Sequence, residues 1–577
     1  MGAGAEAGII TKHPVRCDRQ VTHSGLPAPG RRAAVGGRRC YHSAVHEAIE
    51  TEVFRHRVTA VAEAMGATLR RAASSPNIKE RADFSCAVFD GRGRMLAQAA
   101  HIPVHLGALP TSVAAARHAA RTWSPGDIMA LNHPFLGGSH LPDITTVSAV
   151  FAADAGRPAL FLATRAHHAD VGGSAPGSMA MAGDLFGEGL VLPPVRLVRG
   201  GTADRDLLAV LCANSRTPDE RLGDLEAQVA AHRVGEHRLR ELLAPSAAAF
   251  QRTAAALLAY SERRTRAALA AFPAGTYRFR DLLESDGRGG EDLPIAVAVT
   301  LASGGMRVDF SGTAAQVRSG VNMPLAVTRS AVYYVLACLA GDVPVNAGVF
   351  RCVRVSAPPG SLVNARPPAA VAAGNVETSQ RVVDVLIGAL AQASPQTMPA
   401  ASQGTMNNIT IGGLDPRSGR PFTYYETVAG GAGGGPKRSG ASAVQVHMTN
   451  TRNTPVEAVE TSFPVRVERY AVRTGSGGTG LHPGGDGVVR SLRLLVPARI
   501  TVIAERQRVA PWGLAGGAAG AGGYALLEDQ RGPRRLPAKA SLDAAAGTIL
   551  HVATPGGGGW GVASAEQARK QVQDDEQ

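Results

Sequence analysis

A chain of 577 residues is too long for one hydrophobic core, so several packing units are expected, and 45% apolar with 19% charged residues describes an ordinary globular protein. Its formal charge of +13 does not make it a nucleic-acid binder: residues 1–45 hold seven Lys or Arg against Glu6 and Asp18, the body has no basic run interleaved with aromatics, and aromatics total only 5%. Six scattered cysteines without a CxxC pair give no zinc ribbon or disulfide framework and fit reduced thiols in a cytoplasmic protein, while the longest apolar run, 331–340, is half of the ~20 residues a membrane span needs.

Residues 1–45 are rich in Gly, Ala and Arg without an apolar period, and are expected to be a disordered basic extension. From 50 to 73, Phe54, Val58, Val61, Met65 and Leu69 recur at helical spacing. Residues 84–89 read as a strand, turned by Asp90-Gly91 into 94–98 as a hairpin, with Asp83 at its start. His101 and His105 flank Ile102-Pro103-Val104 ahead of a helix at 109–120, where imidazoles would orient their neighbours by hydrogen bonds.

The densest set of metal-binding groups lies between 125 and 173. Apolar runs at 128–131 and 144–151 read as strands, and 132–143 is a Gly- and Pro-broken loop between them carrying His140 and Asp143. A third strand, 160–166, delivers His167, His168 and Asp170 at its tip. Continued alternation would put His168 and Asp170 on one face and His167 on the other. Imidazole nitrogens and carboxylate oxygens from two segments, with no thiolate nearby, suit a catalytic divalent metal (Zn, Mn or Fe) with open positions.

Residues 219–243 and 246–270 are Ala/Leu/Arg-rich helices with capping residues at their starts; Asp224 and Gln228, one turn apart, read as packing or surface groups. Strands follow at 277–283, 295–301 and 306–310, then helices at 328–339 and 377–393. Asn375 and Glu377, at the start of the last helix, are candidates for substrate contact. From 405 to 561 short strands alternate with Gly-rich turns. These glycines lack the Walker spacing, so no ATP site is expected on this chain, and the 68 glycines imply tight turns and close backbone approaches. Glu426 is a candidate acid or base there, and His447, Asn450 and Asn453 are candidates to face a cleft. The expected class is α+β, large, mixed and β-rich in several layers with helical-hairpin segments. Its sections are 1–45, a metal-site region 46–218, a helical segment 219–272, an α+β section 273–404, a β- and Gly-rich section 405–565 and a polar tail 566–577.

NIKERADFSCAVFD (77–90), HIPVHLGALP (101–110), GGSHLPDIT (137–145) and RAHHADVGG (165–173) together resemble the B subunit of the hydantoinase/oxoprolinase family, which includes related subunits of acetone carboxylases and lactam-opening enzymes. AAGNVETSQR (372–381), AASQGTMNN (400–408), HMTNTRNTPVE (447–457), GSGGTGLHPGGDG (475–487), PWGLAGG (511–517) and TPGGGGWG (554–561) agree, so the resemblance spans 46–561.

That resemblance implies ATP-dependent opening of a cyclic amide such as a hydantoin or 5-oxoproline. An A-type partner with an actin-like ATPase fold would phosphorylate the amide oxygen, and the B-type component would hydrolyse the activated intermediate, making a hetero-oligomer. Under this reading His140, Asp143 and His168 are the metal ligands, with His167, Asp170 and Asp83 as alternates. His105, Glu426 and His447 are the catalytic candidates, and Asn375, Glu377, Asn450 and Asn453 contact substrate. His133 departs from the family form, where an Asp is frequent, and an imidazole there is titratable where the Asp is a fixed anion. Two alternatives remain beside this reading: an acetone-carboxylase-like subunit joining an activated enolate to a carboxyl donor, and a non-catalytic scaffolding paralogue.

Overall fold

The first long helix, Ala34–Ala72, carries the predicted apolar stripe, with Val58, Val61, Met65 and Leu69 fully or almost fully buried, and it begins inside the stretch expected to lack regular structure. These features are seen in a computed structural model that describes residues 34–99, 102–153 and 156–563. Most of the basic extension, His101 and the polar tail lie outside those residues. The chain divides into two units, 1–50 and 51–577. The described part of the first is helical, and the second holds all four sheets, an α+β arrangement.

The first sheet has seven strands: β1 (Phe84–Asp90), β2 (Met95–Gln98), β3 (Ile128–Leu131), β4 (Asp143–Val150), β5 (Leu160–His167), β6 (Val195–Arg199) and β7 (Thr202–Ala203). Their order is β2-β1-β5-β4-β3-β6-β7, antiparallel throughout. The β4–β5 register pairs Asp143 directly with His167, so the two segments that carry the candidate ligands meet across one ladder. β1, β4 and β5 are buried on both faces, and the polar residues they carry are hydrogen-bonded inside, as Thr146 is to Thr164. The helices Pro218–Leu243 and Ala247–Ala270 cover them, with Leu162, Leu239 and Leu258 in a common core.

The second sheet, β8 (Gly275–Ser285), β9 (Glu291–Ala302), β10 (Gly305–Asp309) and β11 (Val353–Ser356), runs β11-β10-β9-β8. The helices Leu325–Ala340 and Ser379–Ala393 share its core, where Val335, Leu386 and Leu390 meet Val297 and Val299. The predicted 377–393 helix is preceded by a single π-helical turn, Gly374–Thr378. A Cβ on Gly374 would fall 1.8 Å from the Asn322 carbonyl oxygen, so only glycine lets this turn sit against that backbone. Glu377 lies fully buried in the turn. Its Oε1 accepts from Met406 N–H and Asn408 Nδ2, Oε2 has no partner, and burial pushes its carboxyl up to about 8.

Two further antiparallel sheets fill the carboxy-terminal part. One runs Arg420–Thr427, Asn408–Asp415, Ala498–Ile503, Lys539–Ala544; the other runs Val465–Arg473, Gly487–Leu494, Ile549–Ala553, Tyr524–Asp529, Gly532–Leu536. The glycine clusters between them stack backbone on backbone, as Gly434 N–H to Gly558, Gly485 N–H to Ala432 and Gly557 N–H to Gly485. Among the described residues no helix is long and apolar enough to cross a membrane.

This packing has measurable consequences. A Cβ at Gly557 would lie 2.0 Å from the Ala432 carbonyl oxygen, so Gly557→Ala is expected to cost about 3 kcal/mol or more by calorimetric unfolding. Gly156→Ala, with nothing within 4 Å, should leave the transition where it is. The Glu377 carboxyl ionises near 4.5 when unfolded and near 8 when folded, so between those values the folded chain keeps a proton that the unfolded chain has released. Stability therefore falls as pH rises through that window. Glu377→Gln, which mimics the neutral acid, should unfold at a higher temperature than the native chain at pH 8, with the gap closing toward pH 5.

Candidate metal centre

Asp143 stands at the first position of β4, at the end of the loop that Pro134 and Gly137 shape, and His140 lies one turn before it. Its Oδ1 lies 3.1 Å from His140 Nε2 and 3.2 Å from His167 Nδ1, and those two nitrogens are 3.2 Å apart. The three groups form a nearly equilateral triangle, all 1–2% exposed. Asp143 Oδ2 takes hydrogen bonds from Ser139 Oγ and from His105 Nε2 at 3.2 Å, and His105 Nδ1 faces Ser85 Oγ at 2.8 Å. His105 therefore aims the carboxylate rather than standing free as an acid or base.

Burial alone would push the Asp143 carboxyl up, but the His140 charge and hydrogen bonds from His105, His140 and His167 hold it well below the usual range. Burial pulls His105 and His167 down, whereas for His140 the nearby Asp143 outweighs burial and raises it. The Ala372 carbonyl faces His140 Nδ1 at 3.5 Å, which leaves Nε2 to point at the triangle. The 371–372 backbone is in turn pinned by Glu188, whose carboxylate accepts both N–H groups. Tyr425 stacks on the His167 ring at 4.5 Å and 16°, and Arg81 lies over the Tyr425 ring at 4.9 Å.

His105, His140, Asp143, His167 and Tyr425 line a small cleft. Asp83, Asn375, Thr427, Thr449 and Thr451 add polar atoms to its wall, and Ile102, Val104, Val376, Met406 and Met448 add apolar ones. Asn375 Nδ2 is 3.5 Å from His140 Nε2 and its Oδ1 is buried without a partner, as is His167 Nε2. A donor set of two imidazole nitrogens and a carboxylate oxygen, with an unsatisfied amide oxygen beside it, fits a divalent cation.

The structure separates the remaining candidates. His168, expected as a ligand, turns away: its Nε2 binds Gln228 Oε1 at 3.0 Å, and burial and Arg221 depress its basicity. His167 is the imidazole that meets His140 and Asp143 instead, because the β4–β5 register sets it directly opposite Asp143 on one face of the sheet and alternation sends His168 to the other face, toward Gln228. Asp170 is committed to Arg216 at 2.9 Å and to the Gly172 and Gly177 N–H groups. Glu426 is buried against Arg490 and Tyr424 and accepts from Thr454 N–H, away from the cleft. His447 lies between Asp384 at 3.3 Å and the Tyr334 hydroxyl at 3.4 Å, and does not line the cleft. Asn450 is exposed, and Asn453 binds the Thr427 carbonyl and the Tyr470 hydroxyl. Glu377 sits one layer behind, joined through Asn408 to the Tyr425 hydroxyl. His133 caps a 3-10 turn, its Nδ1 accepting from Phe135 N–H. Asp224 and Gln228 are buried packing groups, holding Ser74–Ser75 N–H and His168.

Sequence reasoning missed Tyr425, Thr427, Thr449 and Thr451. The alternation of HMTNTRNTP points at that wall, but its amides are the conspicuous groups and its hydroxyls are the ones that reach the cleft.

The family model for hydantoinase B/oxoprolinase matches residues 47–563. A 5-oxoprolinase of Arabidopsis thaliana is 37% identical over 552 residues, covering 90% of this chain, and the 5-oxoprolinase of Saccharomyces cerevisiae is 35% identical over 545. The chain spans about two fifths of the length of these 5-oxoprolinases, 42% and 41%. A Pseudomonas protein provisionally named as the B component of a D-/L-hydantoinase is 33% identical, with 87% of this chain and 88% of that one covered. Among solved structures, the ATP-dependent caprolactamase from Pseudomonas jessenii superposes with a TM-score of 0.84 at 28% identity over 91% of this chain and 93% of that one. Nucleotide-free acetone carboxylase shares the fold at 18% identity and TM-score 0.81, over 89% and 75%. By the extent of the family match and the order of its motifs, the chain belongs to the hydantoinase B/oxoprolinase family.

Proposed function

We propose that this chain is the hydrolytic component of an ATP-dependent cyclic-amide hydrolase, with one Zn, Mn or Fe ion held by His140, Asp143 and His167. The observation that carries this reading is the triangle of ligand atoms with edges of 3.1–3.2 Å. Three ligands bonded to one such ion at about 2.0–2.2 Å lie about 3.0–3.5 Å from each other, so the side chains need no rearrangement to receive it. A divalent cation in this place supplies Lewis-acid polarisation of a carbonyl-type oxygen and brings the pKa of water toward neutrality.

The rest of the site orients and shelters. His105 and Ser139 fix the Asp143 carboxylate, Tyr425 fixes the plane of His167, and the Asp83 carboxylate stands on the cleft wall where it can take a proton from water. The apolar residues of the wall limit bulk water around the reacting group. ATP is handled by an A-type ATPase partner that activates the amide by phosphorylation. Support comes from the glycine clusters, whose backbones hydrogen-bond to one another, and from the Pseudomonas relative, whose name makes it one component of a hydantoinase. ATP dependence and scattered thiols support a cytoplasmic setting.

Elemental analysis tests the site directly. His140→Ala, Asp143→Asn and His167→Ala should each drop bound metal from about one ion per chain to below about a tenth, while His168→Ala keeps it. His105→Ala should weaken metal affinity about 10–100-fold. Full metal in the three ligand variants would refute the assignment. Mixed with an A-type ATPase partner and ATP, the chain should open 5-oxoproline or a hydantoin. Ring opening by the chain alone, without partner or ATP, would refute the division of labour.

A further inference from the structure

Three threonines on the cleft wall form a hydrogen-bonded chain that starts at a buried cation. Arg81 is fully buried; its Nη1 donates to the Tyr425 carbonyl and its Nη2 to Thr427 Oγ1 at 3.0 Å. Gln445 Nε2 also donates to Thr427 Oγ1, at 3.4 Å. A guanidinium and an amide nitrogen can only donate, so both lone pairs of that hydroxyl are taken and its proton must go to Thr451 Oγ1, 2.9 Å away. Thr451 Oγ1 lies 3.3 Å from Thr449 Oγ1, a contact across which either hydroxyl can donate, and Thr449 Oγ1 also accepts from Thr451 N–H at 3.5 Å. With Thr451 as the donor, Thr449 is filled as an acceptor and its own proton has no protein acceptor among the described residues. Thr427, Thr449 and Thr451 are 2%, 3% and 6% exposed, and all three line the cleft beside His140, Asp143 and His167.

We infer that this Arg81–Thr427–Thr451–Thr449 chain is a substrate-orienting seat, with the Thr449 hydroxyl donating to an anionic oxygen, carboxylate or phosphoryl, on the molecule bound in the cleft. A hydroxyl chain with a cation at its head is polarised along its length, so its terminal O–H is a stronger donor than an isolated threonine. Charge balance points the same way and rests on the proposed cation site. Asp83 and Asp143 against Arg81 and a divalent ion leave one positive charge in excess, which an anionic ligand offsets.

Calorimetric titration of the full chain, with 5-oxoproline and inorganic phosphate as separate probes, tests the seat. A hydrogen bond to a charged group implies that Thr449→Val loses roughly tenfold or more in affinity, while Thr449→Ser, which keeps the hydroxyl, binds as the native chain does. A loss confined to 5-oxoproline assigns the carboxylate, and a loss that includes phosphate assigns the phosphoryl group. Native affinity for both probes in Thr449→Val, an equal loss in Thr449→Ser, or a native chain that binds neither probe would overturn the inference. Metal content measured on the same samples keeps the two readings apart: Thr449→Val should retain its ion even where anion affinity falls, whereas failure of the cation site would show as absence of metal from the native chain.

Discussion

One buried carboxylate organises the middle of this molecule. Asp143 is withdrawn from water, and an unpaired charge there would cost several kcal/mol. Hydrogen bonds from His105 and Ser139 and the facing nitrogens of His140 and His167 make the charge tolerable and fix which oxygen faces the cleft. The β4–β5 ladder, the Pro-stiffened loop and the 3-10 turn at Pro103–His105 all serve to bring those donors to it. Loss of any one would leave a buried ion or a buried donor unmet.

Around that carboxylate the wall is assembled from distant parts of the chain. Arg81, Tyr425 and His167 stack in sequence, joining the segment before β1, the strand Arg420–Thr427 and the end of β5. Glu188 fastens the 371–372 backbone behind His140, and a π turn set by Gly374 brings Asn375 to the same place. The glycine stacks of the carboxy-terminal sheets have a related purpose. Where backbones approach this closely a single methyl group is a collision, so their glycines are steric requirements rather than signs of flexibility.

The likeness to caprolactamase covers 91% of this chain in structure, and that to the 5-oxoprolinases 90% and 88% in sequence, so most of the scaffold is shared. A scaffold common to several chemistries leaves selectivity to the wall of the cleft. Hydroxyls, whose direction of donation is set by a remote guanidinium, are well suited to that role. They discriminate by charge and hydrogen-bond polarity without adding bulk.

Composition and periodicity were enough for the α+β class, the hairpin at 84–98, the strands flanking the metal-site loop and the helices of the middle section, because each depends on local spacing of apolar residues and on turn chemistry. The motifs were enough for the family. His140 and Asp143 were legible as a pair because they share one short loop. The choice between His167 and His168 was not, since it turns on which face of β5 looks toward Asp143, and the β4–β5 register decides that. Glu426 and His447 read as reactive groups in the sequence, yet tertiary contacts give Glu426 to Arg490 and His447 to Asp384, more than sixty residues away in each case. The threonine wall was invisible for the same reason: a hydroxyl's role depends on which donors already occupy it, and only the folded chain brings Arg81 to Thr427.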